Sequence, residues 1–319
     1  MQNHKLVFMF SGQGSQYYQM GRELLEHNER FRLWMELCDD LLYDEIETSI
    51  LDVIYGDDAD KTIPFDNLLH SNPALVAIEY SLARVLMEQG HTPDYLMGYS
   101  LGEVTAMVLA QGIELQDGLR LAVDLAKVAK SGERAAMLAV IADVAVTQQF
   151  PDLFKDVFIS GYNFPGNFVV TGSEKRVNQL HAALQKRQVV TQLLPVSTAF
   201  HTPLLEPLGA EFKHVILKSQ SRPLQIPVIS CCTGEAMNGF DEDHLWQVLK
   251  EPVRFQQTAH NVMQQHNCVF VDVGPSGTLA TFIKYLPKTS NEAIPLELLN
   301  QFGRDNKTYG KALDTLQHI

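Results

Sequence analysis

The segment Gly98-Tyr99-Ser100-Leu101-Gly102 constrains this chain more than any other. It follows the short apolar run Tyr95-Leu96-Met97 and precedes a helical pattern from Glu103 to Ala110. Strand, G-x-S-x-G, helix is the context in which a serine sits on a sharp turn, its hydroxyl raised clear of a sheet. The glycines permit the turn because they carry no Cβ. The helix that follows offers N–H groups that favour negative charge. An ordinary glycine-rich turn has the same local pattern, so the partners of Ser100 decide between structure and chemistry.

The surrounding pattern supplies the sheet. Leu6-Val7-Phe8-Met9-Phe10 reads as a buried first strand, ended by Ser11-Gly12-Gln13-Gly14-Ser15-Gln16. Apolar residues at three- and four-residue spacing predict helix from about Met20 to Asp58. Pro73 opens a further helix to about Glu88, and Asp117 to about Ala129 forms another. Near Gly132 the texture changes. Strands are expected at Ala136–Ile141, Val157–Ser160, Phe168–Thr171 and Val189–Leu194, with a helix from Ser173 to Lys186. This set reads as an α+β subdomain spanning about 132–195. The main body then resumes with a helix after Pro203, a strand at Pro227–Ser230, helices near 242–250 and 254–265, and a strand at Val269–Val273. Strands alternating with helices imply a parallel sheet, hence an α/β chain.

Composition narrows the partners. The net charge of −13 argues against nucleic acid and anionic membranes. A local basic patch could still dock an acidic carrier protein. The four cysteines lack metal or redox spacing, and Cys231-Cys232 reads as buried and reduced. No run of about 18 apolar residues and no leader pattern occurs, so a cytoplasmic protein is expected. Metal clusters and dinucleotide fingerprints are lacking, so no cofactor is expected.

A serine nucleophile needs a base and an oxyanion site. Among eleven histidines, His4 and His318 are terminal, and His70 and His91 lie near helix ends. His27, His181, His214, His244, His260 and His266 sit in polar helical stretches and read as solvated. His201 differs: it follows Val196-Ser197-Thr198-Ala199-Phe200 and precedes Thr202-Pro203, a strand end leading into a helix, where catalytic groups collect. The expected oxyanion donors are the backbone N–H of Leu101 and, from the loop after the first strand, that of Gln13. A plain β-turn remains the alternative for that loop.

Several segments together resemble the malonyl-CoA:acyl-carrier-protein transacylase family, including the free-standing acyltransferases of polyketide synthases. They are Phe10-Ser11-Gly12-Gln13-Gly14-Ser15-Gln16, Asn72-Pro73-Ala74-Leu75, Gly98–Glu103, Thr198-Ala199-Phe200-His201, Pro252-Val253-Arg254-Phe255 and Val273-Gly274-Pro275. The resemblance covers essentially the whole chain. It implies a large α/β-hydrolase-like domain with a parallel sheet, formed by 1–131 and 196–319. A small ferredoxin-like α+β subdomain, 132–195, would be inserted in it. It implies Ser100 as nucleophile, His201 as base, and the N–H groups of Gln13 and Leu101 as the oxyanion hole. It also implies a backbone carbonyl, matched to Arg254, in place of an acidic third member. The implied partner is acyl carrier protein, whose phosphopantetheine arm brings the acyl group, with acyl-CoA as a second donor.

Departures from that pattern bear on the acyl group. Members that use malonyl or methylmalonyl groups carry an arginine 25 residues after the nucleophile; here that position is Leu125. Arg120 and Lys127 stand on other faces of the same helix. A malonyl carboxylate facing Leu125 would be a buried charge without a partner, which costs about 3–5 kcal/mol. Tyr99 replaces the usual His before the serine, and Asn72 the usual Gln. Phe200 matches a form found in malonyl-using members and pulls the other way. With Asn163 of the subdomain, these residues are the expected acyl-group contacts. The expected activity is hydrolysis of short uncharged acyl groups from carrier protein. The alternatives are malonyl-CoA:acyl-carrier-protein transacylase activity and a non-catalytic docking module of a synthase complex.

Overall fold

The computed structural model describes residues 4–318. Ten strands are β1 (Lys5–Phe10), β2 (Tyr95–Gly98), β3 (Ala135–Ile141), β4 (Val157–Phe164), β5 (Asn167–Ser173), β6 (Val190–Leu193), β7 (Val228–Ser230), β8 (Ala236–Met237), β9 (Cys268–Asp272) and β10 (Ala293–Glu297). The main sheet has the order β10-β9-β1-β2-β7-β8, parallel except for β8. The remaining strands form an antiparallel sheet, β4-β5-β3-β6. With its two helical crossings this is the split βαβ arrangement of ferredoxin-like folds.

Alternation along β1 shows why the main sheet is covered on both faces. Phe8 and Phe10 enter one core, packed with Leu75, Ile78 and Leu121 of the long helices. Val7 and Met9 enter the other, with Phe255, Ala259 and Ile283. The antiparallel sheet has its own core, where Leu138, Val140, Phe168 and Val170 meet Val177, Leu180 and Leu184 of the helix Glu174–Gln185. The two sheets are tied where Val253 bridges β4. Tyr162 N–H donates to the Val253 carbonyl at 2.8 Å, and Val253 N–H to Ser160 at 3.0 Å.

Several elements differ from the sequence pattern. The helix expected from Met20 to Asp58 is three helices, Arg22–His27, Glu29–Ile46 and Ile50–Tyr55. Asn28 and Ser49 adopt extended conformations, and their side chains cap the new helices by accepting from Phe31 and Asp52 N–H. The helix assigned a start at Pro73 begins at Leu68, because Asn67 caps it and Pro73 is accommodated inside. The segment after Pro203 is a 3-10 turn, Pro203–Leu208, before the helix Gly209–Ile216. The edge strand β10 has no counterpart in the sequence reading: Pro295 interrupts its donor pattern and all five residues are half-buried. All four cysteines are buried and unbridged, and no described helix is long and apolar enough to cross a membrane.

The elbow is packed tightly against β1. A Cβ on Gly102 would run into the Phe10 carbonyl and lie 2.6 Å from the Ser11 carbonyl oxygen. These are backbone atoms at the end of a central strand and of the residue after it, and they cannot give way cheaply. Gly102→Ala is therefore expected to destabilise the fold by about 1–3 kcal/mol, the usual range for overpacking, read as a lower urea midpoint at unchanged m-value.

Candidate active site

Ser100 follows β2 and stands half-buried at the head of the helix Gly102–Leu109. Its φ of 57° is left-handed, a conformation that non-glycine residues adopt only where the surroundings enforce it. The enforcement is visible: Tyr99 N–H donates to the Phe10 carbonyl at 2.9 Å, and Glu103 N–H to the Ser100 carbonyl at 2.9 Å. His201 also has positive φ, 61°, and its backbone N–H donates to the Leu249 carbonyl at 2.8 Å. The two side chains meet: Ser100 Oγ is 2.7 Å from His201 Nε2.

The other ring nitrogen sets the direction of that contact. His201 Nδ1 lies 3.0 Å from the Glu251 carbonyl oxygen. A carbonyl only accepts, so Nδ1 carries the proton and Nε2 presents its lone pair to the serine hydroxyl. This corrects the assignment of that carbonyl to Arg254. The Arg254 carbonyl is taken up by Thr258, which donates its N–H at 3.0 Å and its hydroxyl at 2.9 Å in the first turn of the helix Phe255–Gln265. Arg254 N–H donates to Cys231, and its exposed side chain belongs to a separate groove with His260 and Pro287. Burial pushes the His201 imidazole down to about 4, against the opposing pull of the Glu251 and Val248 carbonyls.

Gln13 stands in the loop after β1. A Cβ on Gly12 would lie 2.7 Å from the Tyr99 carbonyl oxygen and 3.0 Å from Ser100 Cβ, so glycine lets this loop close onto the elbow. The backbone N–H groups of Gln13 and Leu101 have no acceptor among the described residues. The Gln13 side chain donates to Asn72 Oδ1, and Asn72 Nδ2 donates to the Ala122 carbonyl at 3.2 Å.

A narrow cavity of about 50 Å³ opens beside Ser100. Leu125, Asn72, Tyr99, Phe200, Met137 and Val169 contribute to its wall, as do Gln13, Leu101 and His201. No lysine or arginine lines it among the described residues. Arg120 is paired with Asp117 at 2.5 Å, and Lys127 lies 3.7 Å from Asp124, both within the helix Leu115–Lys130 that presents Leu125. Asn163 does not line this cavity. Its Oδ1 accepts the Tyr99 hydroxyl at 2.9 Å, and it faces an adjoining cleft of about 240 Å³ that shares Gln13, Tyr99, Val169 and Leu194 with the cavity. Among the described residues no cluster of His, Cys, Asp or Glu could hold a metal ion.

A family model described as "Acyl transferase domain" matches residues 7–318. The chain belongs to the acyl transferase domain family. It is 37% identical over 285 residues to the polyketide biosynthesis acyltransferase homolog PksD of Bacillus subtilis, covering 89% of this chain and 88% of that protein. It is 37% identical over 294 residues to the homolog BaeD of Bacillus velezensis, covering 92% and 91%. Among solved structures, a loading acyltransferase from the avermectin modular polyketide synthase superposes with a TM-score of 0.88. That pair shares 26% identity and covers 98% of this chain and 99% of that one. The acyl transferase fold thus includes both sheets described above.

Sequence patterns could not single out Glu251, since any residue there offers the same carbonyl. The low proton affinity of His201 has a direct consequence. If His201 serves as the base it must be neutral, and protonation would remove it only as pH falls through about 4, not through the ordinary histidine value of about 6.5. Single-turnover acylation of Ser100 is expected to stay flat from pH 7 down to about 5 and to fall below that. A rapid-quench pH series reads this; a limb near 6.5 contradicts it.

Proposed function

We propose that this chain is a serine acyltransferase-family enzyme that acts on acyl thioesters of acyl carrier protein in polyketide biosynthesis and removes short uncharged acyl groups by hydrolysis. In this reading His201 takes the Ser100 proton while Oγ bonds to the thioester carbonyl carbon. The resulting oxyanion is held by the Gln13 and Leu101 N–H groups. The C–S bond then breaks and His201 returns the proton to the departing thiol. Water, activated by the same imidazole, cleaves the acyl-Ser100 ester and leaves a free carboxylic acid.

The observation that carries the choice of acyl group is the uncharged cavity wall with Leu125 in it. Of the cations on the same helix, Arg120 pairs with Asp117, Lys127 lies 3.7 Å from Asp124, and neither they nor Lys130 lines the cavity to answer a malonyl carboxylate. A stranded carboxylate there costs about 3–5 kcal/mol, on the order of a hundredfold or more in selectivity. The similarity to proteins named as polyketide biosynthesis acyltransferase homologs supports the carrier-bound substrate and the pathway class. The adjoining cleft suits the approach of a long pantetheine arm.

Intact-mass measurement after mixing with acetyl-loaded carrier protein or malonyl-CoA tests the reading. Acetyl transfer to Ser100 followed by release of acetate is expected, with no adduct in Ser100→Ala. A stable malonyl adduct on Ser100 overturns the hydrolase reading in favour of malonyl transacylase activity. Absence of any adduct or turnover favours a docking role. Leu125→Arg is expected to shift the malonyl-to-acetyl ratio of acylation upward by about a hundredfold, because it supplies the missing counter-charge.

A further inference from the structure

Two titratable side chains, one fully buried and one part-buried, adjoin the site without lining its cavity. Glu103 is the second residue of the helix that begins at Gly102, and its side chain is fully buried. Its Oε1 lies 2.5 Å from Nε2 of His244, whose side chain is only 12% exposed. Its Oε2 accepts the Ser230 hydroxyl at 3.0 Å, and Ser230 ends β7 beside Gly98 of β2. Among the described residues no lysine or arginine pairs with Glu103. His244, expected to be solvated, is instead its hydrogen-bond partner.

The helix that carries His244 also carries the grip on His201. His244 is the third residue of Glu242–Lys250, whose first turn is capped by Asp241 accepting the His244 N–H at 2.8 Å. At the other end the Leu249 carbonyl accepts the His201 backbone N–H, and the next residue after the helix, Glu251, accepts from Nδ1. About 7.5 Å of helical rise separates His244 from Leu249. One short helix is therefore held to the serine elbow at its start and holds the histidine at its end.

We infer that Glu103 and His244 are a positioning pair: their contact sets the spacing between elbow and helix, and so the 2.7 Å contact between Ser100 and His201. A short, directional hydrogen bond between side chains of two elements resists sliding in a way that apolar packing does not. Neither residue touches the acyl group. The inference rests on the reading of Ser100 and His201 as nucleophile and base, and goes beyond it by assigning what sets their distance.

The test compares H244L, H244Q and E103Q/H244L with wild type in single-turnover acylation by acetyl-loaded carrier protein, with folding checked by circular dichroism. H244Q keeps an N–H that can reach Glu103; H244L does not. The expected result is a loss of about a hundredfold in the acylation rate of folded H244L, the scale of a misplacement near 1 Å, with KM within about twofold and H244Q close to wild type. Should H244L fail to fold around its stranded carboxylate, the double variant, which has none, is read by the same criterion. Wild-type rates in a folded variant lacking the contact, or equal loss in H244Q, overturn the inference while leaving the Ser100 chemistry intact. A wild-type protein that forms no Ser100 adduct removes the reading of the site, and this inference with it.

Discussion

The site depends on β1 and β2 lying side by side, parallel and level at their ends. The pairing places Phe10 opposite Gly98, so the loop after β1 and the elbow after β2 leave the sheet at the same point. This is the carboxyl edge of a parallel sheet, where such folds collect their reactive groups. Glu79 then ties the two exits together. Its buried carboxyl group accepts Ser11 N–H at 2.6 Å and the Ser11 hydroxyl at 2.7 Å from the loop, and the Thr105 hydroxyl at 3.0 Å from the elbow helix. Burial pushes that carboxyl up to about 8, against the pull of these donors. The strained φ of Ser100 is held by this packing.

His201 reaches the same point by a different route. It follows the antiparallel sheet in the chain and is held by carbonyls around the end of the helix Glu242–Lys250. A carbonyl fixes the tautomer as well as a carboxylate would, but it brings no negative charge to offset burial. The low proton affinity of the imidazole is the consequence. The arrangement keeps the imidazole neutral throughout the physiological range, while a carbonyl would support an imidazolium less than a carboxylate does.

Much of this was legible in the chain. The elbow, the His201 loop and the strands of the second sheet carry local signals: glycine spacing, a Thr-Pro boundary, and alternation of apolar residues. The failures have physical causes. Apolar periodicity ran through Asn28 and Ser49, whose caps break one apparent helix into three. Pro73 looked like a helix start, although Asn67 upstream supplies the cap. His244 looked solvated because its helix is polar, yet the face it occupies meets the Glu103 carboxylate from another element.

The sequence by itself determined the serine at the elbow, the glycines that let the backbone bend there, and a leucine at position 125, because each is a property of residue type at a local spacing. Only the tertiary structure decided which carbonyl steadies His201, that Arg120 and Lys127 are occupied elsewhere, and that Leu125 faces the cavity. Backbone carbonyls are common to every residue, and a side chain's partner across the fold depends on how helices dock. Neither leaves a mark in the order of amino acids.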